Sequence, residues 1–388
     1  MVLSRFWLLT FILHLTQSLL LLKRGLRDRE IIDNERNNCT LQFTCKQQHD
    51  NYYEYLSACR KKDSNILYTN NGTKCDKGIQ VALARFRNAV NETGWGILEV
   101  ETFNGIDEIT QAFAAGLLEG ILTRQLITYH YRNTLERMCN GKEEYCNKLF
   151  AYLSKNLNWI KHTVKKKTEI DIYWKQYLKK EKIPGYATSF SSYPGSLTSL
   201  DDFILATSGL AIIETTINIF NRSLYNAIKP NGQLHCWIRS IIATKLANTA
   251  KQWMQIFARY NSGTYNNQWS IVDYKLFKPN EEIPTNNLLW VLEQAPYAFI
   301  STRGDLNPSN GTYEISEMGH RNSGSIDYKG TNYQLFKNLR FKAWSGPTYD
   351  PLPVFSWATT DIQVNHYGQP TIWQFKEIET EWETVLSK

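Results

Sequence analysis

The chain has 388 residues, of which 42% are hydrophobic and 21% charged, a globular composition that excludes an intrinsically disordered protein. The formal net charge is +7, and the basic excess lies mainly in residues 23–36 and 161–182. Acidic and apolar side chains interrupt both stretches, and no nucleic-acid-binding motif occurs, so we expect no nucleic-acid partner. The second stretch suits either peripheral contact with anionic lipid or a solvated helix face, and we favour the helix face.

The N-terminal residues have the pattern of a secretory signal. An apolar run, Phe6–Leu22, follows a lone Arg5. The run contains His, Gln and Ser side chains, which make it a poor membrane-spanning helix. We therefore assign residues 1–22 to a cleaved signal peptide, with an uncleaved signal anchor as the alternative.

Glycosylation sequons give a second indication of secretion. The acceptor pattern Asn-x-Ser/Thr occurs at Asn38, Asn71, Asn91, Asn221 and Asn310. Because the five sequons are spread along a chain that begins with a signal, we predict a glycoprotein.

Seven cysteines fit the same compartment, since an oxidising environment pairs most of them. We expect a disulfide between Cys139 and Cys146, which would close a short loop between two helical stretches. The four N-terminal cysteines allow three pairings, and the sequence does not choose among them: Cys39, Cys45, Cys59 and Cys75. Cys236 is left over.

The first half of the chain changes character near residue 80. Residues 23–80 are polar and cysteine-bearing, which indicates an irregular, disulfide-tied extension before a folded domain over 81–388. A short helix is predicted over 81–94, and alternating side chains predict a strand over 94–103. An amphipathic helix follows, because four apolar residues recur at four-residue spacing: Ile109, Phe113, Leu117 and Ile121. Another helix is predicted over 146–164.

The second half combines strands with one long helix. β-branched and aromatic residues predict strands over 187–195 and 203–217. The longest helix is predicted over 234–260, and the segment NSGTYNNQ, which begins at Asn261, ends it. Two strands, WSIVDYKLF and NLLWVLEQ, follow. Because helices and strands are grouped rather than alternating, we predict an α+β fold of antiparallel sheets covered by helices.

Few residues of the chain suggest chemistry by themselves. No nucleophile elbow, zinc helix or phosphate-binding loop occurs, and no His residues have metal-ligand spacing, so no metal site is expected. The amides of NSGTYNNQ suit either donation to an oxyanion or a helix C-cap formed by Asn261 and Gly263, and composition favours the cap. Cys236, in the middle of the predicted helix, is interpreted as a core thiol rather than a nucleophile.

Ten ordered blocks between residues 93 and 375 resemble the phospholipase B-like family. The blocks read TGWGILEV, QAFAAGLLEG, the Cys139/Cys146 pair with NLNWI, FSSYPGSLTSLDDF, SGLAIIETT, RYNSGTYNNQWSIVDYK, LEQAP, ISTRGDLNPSNGTY, SGSIDYK, and SGPTYDPLPVFSW with HYGQPTIW. The chain is most similar to the second phospholipase B-like type.

This resemblance implies a four-layer αββα sandwich of the N-terminal-nucleophile hydrolase type, in a secreted or lysosomal glycoprotein. Such enzymes hydrolyse ester or amide bonds, here of lipid-like substrates, without a cofactor. An internal cleavage exposes a cysteine nucleophile whose own α-amino group acts as the base. The implied oxyanion donor is the Asn that opens the NSGTYNNQ block, which is Asn261, and the family's short-loop disulfide maps onto Cys139 and Cys146.

Two joins, near residues 176–178 and 297–299, depart from the family's pattern. The first replaces the segment that holds the family's nucleophile, and no Cys lies between Cys146 and Cys236. We therefore expect a fold that lacks two core segments, and a chain that is inactive as written. Either the gene model has lost exons, which we favour, or the protein is a non-catalytic pseudoenzyme that binds a lipid or protein partner.

Overall fold

A computed structural model describes residues 53–165, 183–295, 298–303 and 327–382, apart from residues 63, 65, 197, 200–202, 218, 220, 348, 350–352 and 361–362. The predicted signal peptide, Cys39, Cys45, Asn38 and Asn310 lie outside these ranges. Among the helices inside them, none is long and apolar enough to cross a membrane. Contacts divide the described chain into two compact units, residues 53–136 with 344–377, and residues 137–343 with 378–381.

Strands and helices occur in groups along the described part of the chain. The strands are β1 (Glu54–Arg60), β2 (Leu67–Asn71), β3 (Ile79–Ala89), β4 (Trp95–Thr102), β5 (Thr188–Phe190), β6 (Phe203–Ala206), β7 (Leu210–Thr216), β8 (Asn267–Asp273), β9 (Leu289–Ala295), β10 (Ala298–Arg303), β11 (Asp327–Gly330), β12 (Lys342–Ser345), β13 (Phe355–Ser356), β14 (Ile372–Trp373) and β15 (Ile378–Glu379). The helices are α1 (Val90–Thr93), α2 (Glu108–Leu122), α3 (Arg124–Thr134), α4 (Glu143–Lys165), α5 (Cys236–Leu246), α6 (Ala250–Phe257) and α7 (Tyr333–Phe336). Two 3-10 turns, Arg222–Ala227 and Tyr274–Leu276, complete the regular structure.

The first unit is built on an antiparallel sheet in the order β2-β1-β3-β4. Helix α2 packs on this sheet, and its buried residues Ala114 and Leu118 join a cluster with Ala58, Val81 and Ala84. A disulfide between Cys59 and Cys75 ties β1 to the segment after β2. This is one of the three pairing patterns left open for the N-terminal cysteines.

Two sequence-based expectations for this unit are wrong. Residues 53–80 are not an irregular extension, because β1 and β2 hydrogen-bond into the sheet. The predicted helix over 81–94 is mostly strand β3, and only Val90–Thr93 is helical. Alanine and arginine favour helix in isolation, but pairing of β3 with both β1 and β4 overrides that local preference.

The second unit is built on a six-stranded antiparallel sheet in the order β10-β9-β8-β7-β6-β5. Helices α5 and α6 cover one face, where the rings of Trp253, Phe257 and Trp269 pack together with centroids 4.7–5.2 Å apart. All three rings are nearly or fully buried. Strand β8, predicted as part of WSIVDYKLF, lies inside the sheet. The antiparallel sheets with covering helices confirm an α+β fold.

The long helix predicted over 234–260 is instead two helices with a break at residues 247–249. The break follows from a capping box: the Thr249 hydroxyl accepts from the Gln252 N–H at 3.2 Å, and the Gln252 carboxamide accepts from the Asn248 N–H at 2.8 Å. Helix α5 begins at Cys236, which therefore stands at its first residue rather than in mid-helix, and the Cys236 thiol is buried and forms no disulfide within the described ranges.

Candidate functional site

The segment after α6 turns through a left-handed residue. Tyr260 has φ 56°, which costs about 1 kcal/mol for a residue with a side chain, and its carbonyl accepts from the Leu234 N–H at 2.7 Å. Gly263, at φ 65°, adds a second turn. Asn261 itself is not in the left-handed region, so the cap formed by Asn261 and Gly263 is not the one present. Asn261 instead forms a bridge with Leu234.

The Asn261 carboxamide is held by the core around it. Its Oδ1 accepts from Gly263 N at 3.1 Å, from Arg239 Nη2 at 3.0 Å and from Gln294 Nε2 at 3.2 Å. Its Nδ2 donates to the carbonyl of Ala295 at 2.8 Å. Because three donors meet at Oδ1, only one orientation of the amide satisfies them all. Asn261 thus has a fixed carboxamide at the end of β9, and one N–H of this carboxamide is engaged by the Ala295 carbonyl.

Arg239 of α5 supplies the positive charge behind this amide. The side chain is 2% exposed and donates to the carbonyls of Leu234 at 3.1 Å and Phe257 at 2.5 Å. Its guanidinium also lies 4.3 Å from the centre of the Phe257 ring. Burial lowers the pKa of Arg239 to about 10, while Cys236 acts to raise it, so the group stays charged at neutral pH. A buried cation bonded to Oδ1 polarises the Asn261 amide and strengthens its N–H as a donor.

Gln294 of β9 connects Asn261 to the aromatic core. The Gln294 Oε1 accepts from the Trp269 indole N–H at 2.9 Å, and its Nε2 donates to Asn261. Gln294 is 3% exposed. Both ends of this amide are therefore used, and its geometry depends on the packing of Trp269 against α6.

A second polar group surrounds Tyr265. Its hydroxyl lies 2.7 Å from the Thr216 hydroxyl and donates to Glu214 Oε1 at 3.1 Å. On the other side of the segment, Thr264 lies 2.9 Å from the Ser262 hydroxyl and 3.4 Å from Nδ1 of His235. Both groups thus anchor the middle of the segment, between Asn261 and Asn267 in the sequence.

The other predicted site residues are the paired cysteines and the glycosylation sequons. Cys139 and Cys146 form a disulfide. The sequon asparagines Asn71, Asn91 and Asn221 are exposed, and their glycosylation remains a prediction. No group of His, Cys, Asp or Glu that could hold a metal ion occurs within the described ranges.

Sequence reasoning identified Asn261 but missed its partners Arg239 and Gln294. One signal for Arg239 was present, because a single arginine stands among apolar residues in CWIRSIIATKL. Gln294 had no such signal, since only the pairing of β8 with β9 brings it beside Trp269.

Comparison with known proteins places this chain in a family. The family model for phospholipase B matches residues 82–180, 176–299 and 295–380. The match breaks at two places, 176–180 and 295–299. The first break precedes β5 and the second falls at the turn into β10, and these two strands are the edges of the six-stranded sheet.

Several relatives align with the chain. "Putative phospholipase B-like 3" of Caenorhabditis elegans is 31% identical over 85% of this chain and 91% of the relative. "Putative phospholipase B-like 2" of Homo sapiens is 26% identical over 78% of this chain and 86% of the relative. "Phospholipase B-like protein F" of Dictyostelium discoideum is 51% identical over 31% of this chain and 21% of the relative.

The first of these alignments spans 528 residues, which is more than the 388 of the whole chain, so the relative has segments without a counterpart here. The two interruptions in the family match, at 176–180 and 295–299, coincide with the joins near residues 176–178 and 297–299. The match nevertheless runs in order from residue 82 to residue 380, and the chain belongs to the phospholipase B family.

Proposed function

We propose that this protein derives from a hydrolase of acyl bonds, in esters or amides of lipid-like substrates, and that Asn261 is the donor to the oxyanion. Family membership supports the reaction class. The single observation that supports the residue is the fixed carboxamide, with three donors on Oδ1 and a buried arginine behind it. A donor held rigid before the reaction is the arrangement that stabilises a developing negative charge. For the architecture of this chain we propose the four-layer αββα sandwich of the N-terminal-nucleophile hydrolases, without two of its core segments.

The chain as written lacks the nucleophile in this proposal. The break in the family match at 176–180 coincides with the join where the resemblance places the catalytic cysteine. Cys236, which forms no disulfide within the described ranges, is buried in the first turn of α5 and follows the FSSYPG block, so it does not fit an internal cleavage product. We therefore propose that this chain does not hydrolyse its ligand.

The second candidate is a non-catalytic glycoprotein of the secretory pathway or the lysosome that binds a lipid or protein partner. The break in the family match at residues 176–180 favours this candidate when the expressed protein also has that break. The signal-like N-terminus and the exposed positions of three sequons support passage through the secretory pathway.

Transcript sequencing across the codons for Gln176 and Tyr177 separates the two candidates. An additional in-frame segment containing a cysteine would favour the hydrolase, and an uninterrupted junction would favour the binding protein. If the longer form exists, its release of fatty acid from phospholipid should fall about 100-fold in Asn261→Ala, the typical effect of removing one oxyanion donor. The exposed-loop variant Asn286→Ala is the matched control and should retain activity.

A further inference from the structure

Strand β2 forms one open edge of the four-stranded sheet in the first unit. Within the described residues it pairs with β1 alone. In an antiparallel pair, hydrogen-bonded and non-hydrogen-bonded positions alternate. The Gly72 N–H donates to the Tyr55 carbonyl at 2.9 Å, which makes this pair a hydrogen-bonded one. By alternation, the backbone N–H and C=O groups of Leu67, Thr69 and Asn71 point away from β1, toward the open edge.

This edge lacks the usual protection against pairing with another strand. Proteins commonly protect an open edge with charged side chains, proline or a very short strand. The sequence of β2, LYTNN, contains neither a charge nor a proline, and Ile66 just before it is 59% exposed. The other edge strands of the two main sheets differ, since β4 carries Glu99 and Glu101, β5 has three residues, and β10 ends in Arg303. Strand β2 thus offers an uncharged row of backbone groups.

The edge of β2 is complementary to itself. A two-fold axis at Thr69 places a second copy of the strand antiparallel to the first, with Thr69 opposite Thr69 and Leu67 opposite Asn71. Every outward backbone group then has a partner, and no like charges meet across the pair. Because both copies use the same surface, the contact closes as a dimer.

A predicted glycosylation site lies in the same row of residues. Asn71 begins the sequon Asn-Gly-Thr and is exposed. A Cβ atom added to Gly72, the next residue, would meet nothing within 4 Å, so the space beside the end of β2 is open. A glycan on Asn71 is bulky and hydrated, and it would keep the backbone of a second copy away from this edge.

We propose that the edge of β2 is a pairing surface for a second copy of this chain, and that an N-glycan on Asn71 keeps the protein monomeric by covering it. The inference goes beyond the proposed function, because it involves neither the acyl site nor a nucleophile. It also distinguishes Asn71 from two other sequon residues, since Asn91 lies in α1 and Asn221 precedes a 3-10 turn.

Size-exclusion chromatography with light scattering, on protein secreted from a eukaryotic host, tests this inference. Thr73→Ala removes the sequon, leaves the Asn71 side chain in place and changes an exposed residue. We expect this variant to be dimeric at a concentration at which the glycosylated wild type is monomeric. Asn91→Gln removes a sequon away from the edge, so it is the matched control and should stay monomeric. If Thr73→Ala is not secreted, endoglycosidase treatment of the folded wild type replaces it.

A second substitution separates edge pairing from misfolding. In Thr69→Lys/Thr73→Ala, two lysines meet at the two-fold axis, where like charges directly opposite each other disfavour pairing. This variant should return to the monomer. Thr102→Lys/Thr73→Ala, with its lysine at the exposed end of β4, should remain dimeric.

Three results would overturn the inference. They are a monomeric Thr73→Ala, a dimer that survives in Thr69→Lys/Thr73→Ala, and a glycosylated wild type that is already dimeric. Glycopeptide mass spectrometry that finds Asn71 without a glycan in the secreted wild type would also contradict it. Each of these outcomes leaves the proposed hydrolase untouched, because that proposal is judged by fatty-acid release from the longer transcript form.

Discussion

Arg239 shows how a single buried side chain can organise several elements. Its guanidinium links the start of α5, the end of α6 and the Asn261 amide through three hydrogen bonds. Replacing Arg239 with Met removes one hydrogen bond from each of three oxygens, those of Leu234, Phe257 and Asn261. We expect the free energy of unfolding to fall by roughly 2–4 kcal/mol. Urea denaturation of Arg239→Met checks this value, with the exposed Arg124→Met as control, and an unchanged midpoint would show that the hydrogen bonds contribute nothing.

His130 of α3 gives the fold a predictable dependence on pH. Burial lowers its pKa from 6.5 to about 4, so the folded protein holds the ring neutral while the unfolded chain takes up a proton below pH 6.5. The contribution of His130 is therefore fully present above pH 6.5 and is lost as the pH falls toward 4. Between pH 7 and pH 5 the loss is about 2 kcal/mol.

The variant His130→Gln isolates this effect. Its stability, measured by urea denaturation at both pH values, should fall less than that of the wild type by about 2 kcal/mol. The exposed His366→Gln should behave like the wild type. Identical pH dependence in wild type and His130→Gln would contradict the assignment.

Helix α2 shows how far an apolar pattern determines which face of an element is buried. The four-residue spacing of Ile109, Phe113, Leu117 and Ile121 correctly predicted a helix. The residues buried against the sheet, however, are Ala114 and Leu118 on the adjacent face, and Phe113 is 52% exposed. The periodicity did not reveal this choice, because small alanine side chains permit the close approach to the sheet that larger residues prevent.

Two substitutions on α2 test which of its faces is packed against the sheet. Leu118→Ala should lower the free energy of unfolding by about 3 kcal/mol, since it leaves a cavity in the core. Phe113→Ser should change it by less than about 0.5 kcal/mol, as expected for a surface site. Thermal denaturation of the two variants measures both effects, and the reverse order would mean that the apolar stripe is the packed face.

The disulfide between Cys139 and Cys146 joins the residues before α4 to the first turn of that helix. Because a cross-link restricts the unfolded chain, replacing both cysteines with Ser should cost about 2 kcal/mol. Calorimetric melting of this double variant, compared with the wild type under non-reducing conditions, measures the cost. An unchanged melting temperature would indicate that the bond does not form in solution.

The sequence predicted more of the architecture than of the site. Strand β4 follows from the alternation of its side chains, and the α+β class follows from the grouping of helices and strands. The T-x-x-Q pattern at Thr249 held the signal for the break between α5 and α6. The network around Asn261 joins residues that are distant in sequence, from Arg239 to Ala295, and only the packed sheet and helices bring them together. Such contacts leave no local pattern in the chain.

At the scale of the whole molecule, both breaks in the family match fall at the edges of the six-stranded sheet. The four inner strands, β6 to β9, remain continuous and carry most of the helix-covered core. The absent segments therefore leave the centre of this sheet in place, and with it the amide of Asn261. The central claim is that this chain retains the acyl-binding end of a phospholipase B-like fold without the nucleophile.

Fatty-acid release from phospholipid by the purified 388-residue chain, measured by mass spectrometry, tests this claim most directly. We predict no release above that of the heat-denatured protein. Release that increases with protein concentration would contradict the claim. Its loss in Cys236→Ser would then identify a nucleophile within this chain.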